Sequence, residues 1–347
     1  MKKNSGFSLV ELMVALVIGL VLIAGVIELF TSTRQTYRIQ DMKARMQEDG
    51  RYAMHHISTV ISKAGYRGCS GNKPSKFDNL LRNQVGSYDL SNPVLGYEAI
   101  DQNNWLPALP GINNAVGGND VLSVRTVNST FIHITGHPNN PGAIQDAPII
   151  IPANNSLEDC DPKTDNTCAN IVMVSTCDKT VVFQVTNATP GTTGILEHEA
   201  NVGIPGNTTN TLAETFTGGW VNTISSSTFY IRNDGDGTPS LFEETTFGDR
   251  RAIVEGVESM QLTFGVDTNG DSNIDNYVRA NAVADWSTVV NVRIWLVMIN
   301  IDPDPANNNN VALGNASYYL EDQVIIPPDG RLRRSFTQTI SLRNALK

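Results

Sequence analysis

Apolar and polar positions along the chain fall into three regimes. From Leu12 to Ile27 there are 16 consecutive apolar or glycine residues. Extended to Phe7–Phe30, the run has 24 residues, about 36 Å as a helix at about 1.5 Å per residue, which spans a bilayer. Beyond it, Ile39, Met42, Met46, Ala53, Ile57, Ile61 and Ala64 recur at spacings of three, four or seven, with Arg38, Lys43, Arg45, Glu48, Arg51 and Lys63 between them. That is one amphipathic stripe. Together they predict a single helix from about Phe7 to Ala64, ended near Gly65.

After Gly65 the helical period disappears. Short apolar runs separated by Asn-, Gly- and Pro-rich loops predict strands at 120–127, 130–135, 170–176, 180–186, 227–232, 259–266, 289–299 and 331–342. In the sixth, Met260, Leu262, Phe264 and Val266 alternate with Gln261, Thr263 and Gly265, so one face is buried and the other wet. Residues 66–119 read as an irregular connection and 187–226 as a loop-rich insertion. The expected fold is α+β: a long helix, transmembrane then amphipathic, whose outer half packs on an antiparallel sheet with long loops. The expected divisions are a leader at 1–6, a membrane half at 7–30, an amphipathic half at 31–65 and an exported β-rich domain at 66–347.

Composition and charge fix the compartment. Charged residues make up only 17% and the formal net charge is -10, which leaves no basic face for nucleic acid. The one basic cluster, Arg331, Arg333 and Arg334, alternates with Leu332 and Phe336 and reads as the polar side of a strand. Lys2 and Lys3 precede the apolar run with no basic pair directly after it, so the N-terminus faces the cytoplasm and the rest is exported. Four cysteines, Cys69, Cys160, Cys168 and Cys177, follow the run, and an even count in an oxidising compartment suggests two disulfides. Cys160 and Cys168 bracket a short polar loop and form the local pair, leaving Cys69 for Cys177.

Glu11 is out of place at the head of the apolar run, because a carboxylate in hydrocarbon costs about 2.5–3.5 kcal/mol or more unless relieved. With it, GFSLVELMVALVIG resembles the class III signal of type IV prepilins: a short basic leader ending in Gly6, Phe7 after the scissile bond and Glu11 before an unbroken apolar stretch. The resemblance implies a prepilin peptidase that cuts between Gly6 and Phe7 and methylates the new amine of Phe7. It also implies that Glu11 is neutralised by the N-terminal amine of a neighbouring subunit. The alternative for Glu11 is a carboxylate that snorkels to the interface.

The blocks AGYRGC (64–69), GGNDVLSVR (117–125), STFYIRN (227–233), LFEE (241–244), VEGVESMQLTFGVDTNGD (254–271), VVNVRIWLV (289–297) and RLRRSFTQTISLRN (331–344) resemble the PilW family of type IV pilus minor pilins. The resemblance implies a non-enzymatic subunit of the complex that initiates the pilus and caps its tip, supporting twitching motility and adhesion. Its partners would be other minor pilins, the major pilin, a PilY-type tip adhesin, the prepilin peptidase and the inner-membrane assembly platform. Its place would be the inner membrane, single-pass with the C-terminal domain in the periplasm, and then the pilus tip at the cell surface. The rival readings are a minor pseudopilin of type II secretion and a signal-anchored exported hydrolase or binding protein.

Catalytic motifs are missing: there is no G-x-S-x-G elbow and no G-x-x-x-x-G-K-[ST] phosphate loop. His133 and His137 read as surface histidines, and the neighbours His55 and His56 point different ways on the helix. DTNGDSNID (267–275) has metal-like spacing, with Asp267, Asn269, Asp271 and Asp275 at positions 1, 3, 5 and 9 of an EF-hand-like loop. Ser272 replaces the turn glycine and Val278 takes the place of the closing acid, so the choices are a weak structural calcium site or a plain acidic turn. NDGDG (233–237) reads as a hairpin turn.

Overall fold

The structure is a computed structural model, and it describes residues 8–66, 76–82, 90, 92–109, 111–112, 114–128, 130–138, 146–165, 168, 170–245, 249–301, 317–321, 323–327 and 331–344. One 55-residue helix, α1 (Leu9–Lys63), holds both halves of the predicted helical run. It stops where glycine permits it, at Gly65 with φ +75°. The chain divides into two compact units, Met1–Asp49 and Gly50–Lys347, so the last turns of α1 belong with the strands.

Among the described residues the larger sheet has ten strands. Its path runs β1 (Lys76–Asn79), β8 (Lys179–Gln184), β7 (Ile171–Ser175), β10 (Trp220–Asn233), β4 (Val121–Val127), β2 (Val94–Ala99) and β3 (Trp105–Leu106). Off that path, β5 (Ile132–His133) and β11 (Pro239–Thr245) pair with β10, and β12 (Arg250–Glu255) pairs with β11. The smaller sheet is β14 (Asn276–Val278), β13 (Val257–Val266), β15 (Val289–Ile299) and β18 (Arg333–Ser341). Two short ribbons join β6 (Ile149–Ile150) to β9 (Ile195–Leu196) and β16 (Tyr318–Leu320) to β17 (Gln323–Ile325). All pairings are antiparallel except β1 with β8. The α+β expectation is what the structure shows.

The alternation read in β13 is real: Met260, Leu262 and Phe264 are fully buried. NDGDG is the turn between β10 and β11, closed by Asp234 N–H to the Thr238 carbonyl at 2.8 Å. Residues 66–119 are not an irregular connection, since they carry β1, β2 and β3. Val94, Leu95 and Tyr97 surround Gly96 in β2, and that glycine hides a strand. A side chain there would collide with the Phe264 ring of the other sheet, so glycine is what lets the sheets meet. Arg333 is also not on a wet face: its side chain is 5% exposed and pairs with Glu258 through Nε and Nη2 at 2.5 and 2.7 Å. His137 is buried as well, its Nε2 donating to the Ala147 carbonyl at 3.0 Å and its Nδ1 accepting from Phe216 N–H at 3.0 Å.

The sheets are joined by two adjacent polar residues at the start of β4. Asp120 is wholly buried, and one carboxylate oxygen accepts Ala99 N–H at 3.0 Å while the other accepts Leu262 N–H at 2.8 Å. Asn119 accepts Met260 N–H at 3.0 Å, and Asp120 N–H donates back to the Met260 carbonyl at 3.0 Å. Burial, and next the charge of Glu98, push the Asp120 carboxyl from 3.8 to about 7. Glu98 is itself buried and held by Arg279 at 2.6 Å, and Arg279 also contacts Glu321.

An acid raised in the fold contributes stability that is fully present below about pH 4 and is lost as pH rises through about 7. His137 and His198 have the opposite sign: burial lowers both, so their contribution is lost as pH falls below about 6.5. Glu98→Gln removes the like charge beside Asp120. Urea unfolding of the detergent-solubilised chain should show this variant gaining on the wild type between pH 5 and pH 8, by about 1–2 kcal/mol. A difference that stays flat with pH would rule out the coupling.

Candidate functional site

The helix begins with a reciprocal cap. Glu11 Oε2 accepts Ser8 N–H at 3.0 Å, and Ser8 Oγ accepts Val10 N–H at 3.3 Å. The Glu half is that of an S-x-x-E capping box, while the Ser hydroxyl takes the Val10 amide in place of the Glu11 amide; both bonds satisfy amides that the first turn leaves without partners. Glu11 therefore caps the helix, a duty that its charge alone did not reveal, and the spacing Ser8-x-x-Glu11 was the available signal. Gly6 and Phe7 lie outside the described residues. From Leu9 to Phe30 the large apolar side chains are exposed, and the most apolar window, with mean hydropathy 2.8, is 0% buried. By length and composition this helix can cross a membrane.

The last turns of α1 are fixed to the strands by packing and by one buried carboxylate. Ala53, Ile57, Ile61 and Ala64, four positions of the predicted stripe, are fully buried. His56 lies on the same stretch, its ring edge-to-face with Phe229 of β10 at 5.8 Å and its Nε2 3.0 Å from Glu243 of β11. Glu243 also accepts from Arg251 of β12 at 2.7 and 3.0 Å. Burial pushes the Glu243 carboxyl up, but hydrogen bonds from Ser227, Arg251 and His56 outweigh it and hold the carboxyl below its ordinary value. The helix C-terminus is closed from the far end of the chain, where Asn344 donates its amide to the Ala64 carbonyl at 2.9 Å. His56 and Glu243 are 187 residues apart in sequence, and no local pattern announces such a pair.

Of the cysteines, Cys160 and Cys168 form the predicted disulfide, with Cα atoms 5.7 Å apart. Cys177 is disulfide-bonded too, and Cys69 lies outside the described residues.

The 267–275 loop joins β13 to β14 and is held by its own donors. Asp267 accepts Gly270 N–H at 2.6 Å and Ser272 N–H at 2.9 Å, and Asn269 accepts Asp271 N–H at 2.8 Å. Asp275 accepts the Thr268 hydroxyl and amide at 2.6 and 2.8 Å, and these bonds hold its carboxyl below the usual value. Ser272, at the position of the EF-hand glycine, has φ +68°, the left-handed turn that position demands. Among the described residues no group of three or more His, Cys, Asp or Glu side chains is arranged to hold a metal.

Comparisons with known proteins agree with this anatomy. Residues 228–344 match the family model of Type IV Pilus-assembly protein W, and residues 1–27 match the prokaryotic N-terminal methylation motif. The first match takes in β11 to β18, Glu243, the acidic loop and Asn344, while AGYRGC and GGNDVLSVR precede it. A type IV-like pilin from Thermus thermophilus is similar at 12% identity, covering 52% of this chain and 84% of its own, with a TM-score of 0.21. No curated protein matches.

The disulfide yields a direct test. Closing the eight-residue separation between Cys160 and Cys168 restricts the unfolded chain by about 2.5 kcal/mol on the loop-entropy account. The double variant Cys160→Ser, Cys168→Ser should lose about that much in urea unfolding under non-reducing conditions. No loss would mean that the loop is equally ordered without its bond.

Proposed function

From the premise that the chain is a PilW-like, type IV pilus-related pilin carrying a class III signal, we propose that it is a minor pilin of the initiation and tip complex. It is a structural subunit, cut between Gly6 and Phe7 and methylated on Phe7 by the prepilin peptidase. It passes from the inner membrane, through the assembly platform, into the pilus, where it joins other minor pilins, the major pilin and a PilY-type adhesin. It supports pilus assembly, twitching motility and adhesion. The observation that carries this reading is the apolar half of α1, exposed on every side with one carboxylate at its head. A lone helix of that kind is soluble in lipid, and in a filament it finds apolar neighbours.

Glu11 is then used twice. In the single chain it caps the helix through Ser8 N–H, and in the filament it meets the amine of an adjacent subunit. Glu11→Gln separates the two uses, since the amide oxygen still caps but carries no charge. We expect Glu11→Gln to insert in the membrane normally and to be depleted at least tenfold from sheared pili, with the wild type starting at Phe7 by mass spectrometry. Normal incorporation of Glu11→Gln would exclude charge pairing. Loss of secretion with intact twitching after gene disruption would favour the pseudopilin reading instead.

The proposal extends to calcium at Asp267, Asn269, Asp271 and Asp275, supported by the left-handed turn at Ser272 and opposed by the missing closing acid at Val278. Affinity in the range of about 0.1–1 mM is expected, with the metal stiffening the end of the smaller sheet. The melting temperature of the detergent-solubilised chain should rise by a few degrees in millimolar calcium over chelator, and not in Asp267→Ala, Asp271→Ala. Equal melting of the wild type in both conditions leaves an acidic turn.

A further inference from the structure

β18 is the last strand of the smaller sheet, and among the described residues its outer edge pairs with no other strand. The ladder with β15 shows which groups that leaves. Leu342 N–H donates to the Val290 carbonyl at 2.9 Å and the Leu332 carbonyl accepts Asn300 N–H at 3.1 Å, so the even-numbered residues of this stretch face β15. The residues between them point the other way. The amides and carbonyls of Ser335, Thr337, Thr339 and Ser341 are therefore aimed outward, and Thr337, Thr339 and Ser341 are exposed.

Open edges of this kind are normally blunted by brevity, a proline, a bulge, a charge or a covering element. Other edges of this fold are blunted so. β1, β3 and β14, at the other sheet ends, have four, two and three residues. β12 is paired across a bulge at Leu241/Phe242 and carries Arg250 and Arg251, tied to Glu244 and Glu243. β18 differs on each count: it has nine residues, pairs with β15 over nine successive positions without a register shift, and from Ser335 to Ser341 holds no proline and no charge. Its inner face is closed, with Ile340 buried and the Phe336 ring against Gly50 of α1. The edge is straight, held from behind and open at the side.

A row of outward N–H and C=O groups is matched by another extended chain, which supplies the same groups at the same repeat. The ends of the strand indicate its charge. Residues 331–344 contain Arg331, Arg333, Arg334 and Arg343 and no acid, in a chain of formal net charge -10. Glu258 holds Arg333, and Arg343 is exposed beyond the far end of the strand. A second copy of the chain fits badly. Antiparallel pairing centred on Thr337 sets Arg331 of one copy against Arg343 of the other, and parallel in-register pairing sets each arginine against itself. We propose that β18 receives an extended segment of a different protein, neutral in its middle and acidic at its ends, as a fifth strand of the smaller sheet. Backbone bonds to Ser335, Thr337, Thr339 and Ser341 hold that segment, and its carboxylates meet the arginine-bearing ends of β18. The edge lies in the Gly50–Lys347 unit and uses neither Glu11 nor the leader, so this inference and the assembly proposal fail separately.

The test is fluorescence anisotropy on the full chain in detergent, with a capped, labelled peptide of three Thr-Val repeats flanked by two Glu at each end. The same peptide with Lys in place of Glu, and the Glu peptide N-methylated at alternate amides, are the comparison probes. The Glu peptide should bind saturably, the Lys peptide at least tenfold more weakly, and the N-methylated peptide not at all, because methylation blocks strand pairing and leaves the charge. Thr337→Pro removes one outward N–H and leaves the β15 ladder whole, so it should weaken binding at least tenfold at an unaltered melting temperature. Thr337→Val keeps the amide and should bind as the wild type does, while Arg343→Glu should weaken binding severalfold. No binding of the Glu peptide overturns the proposal. Equal binding of the N-methylated peptide overturns it as well, since charge alone would then suffice, and this holds even where Thr337→Pro melts lower. Equal binding by a stably folded Thr337→Pro does the same. A wild-type dimer that Thr337→Pro abolishes, without binding of the Glu peptide, would assign the edge to a second copy and overturn it too.

Discussion

The two sheets share no strand, and beside the backbone of Gly256, which bonds Pro239 of one and Ile299 of the other, a pair of polar side chains, Asn119 and Asp120, registers one against the other. Three backbone amides from two different sheets, those of Ala99, Met260 and Leu262, are satisfied by these two residues. Each amide would otherwise be buried without an acceptor, a cost of about 1–3 kcal/mol apiece. Apolar packing alone is tolerant of small slides; hydrogen bonds near 3 Å are not. With the register fixed, Gly96 lies against Phe264, and the last turns of α1 meet β10 and β11 at His56, Phe229 and Glu243. The clamp has a cost, because holding a carboxylate beside Glu98 in a dry place shifts the Asp120 proton equilibrium toward the neutral form.

The same device recurs at larger scale. Asp120 and Glu243 each stand where a chain segment is held to something distant, and each is satisfied by donors from the elements it holds. Glu243 draws donors from α1, β10 and β12 at once. Glu11, by contrast, accepts from Ser8 within its own first turn. A carboxylate in an apolar segment gains more from a cationic partner than one at a water-exposed site does.

Periodicity made much of this legible. The helix, its end at Gly65, the strands β13, β15 and β18 and the local disulfide follow from spacing within a few residues, because their signals are local. Three kinds of feature escaped. Short strands interrupted by glycine, such as β2, lost their apolar run to a residue chosen for the opposite sheet. Buried polar groups such as Arg333 and His137 looked like surface residues, since the partners that hold them, Glu258 and the Phe216 amide, are far away in sequence. The clamp itself was hidden where a loop meets a strand: Asn119 closes a Gly-Gly-Asn stretch, Asp120 opens the run 120–127, and only the tertiary fold shows that both are buried.

The exposed rings around Trp220 pose the converse problem. Buried polar groups in this fold each hold two elements together, whereas Trp220 and Phe131 are half-buried rings that meet edge-to-face, Trp220 also against His133 and Phe131 also against Tyr66. β10 changes neighbours just beyond Trp220, pairing with β5 and β7 at its start and with β4 from Ile224 onward. A strand that hands over from one partner to the next needs a small or polar residue at the junction, and Asn222 supplies it by bonding the carbonyls of the 128–130 turn. No such demand applies to Trp220, which could be threonine or serine without loss to the ladder. What the large ring adds is side-chain contact: Tyr66 just beyond α1, Phe131, Trp220 of β10 and His133 of β5 form one chain of edge-to-face rings.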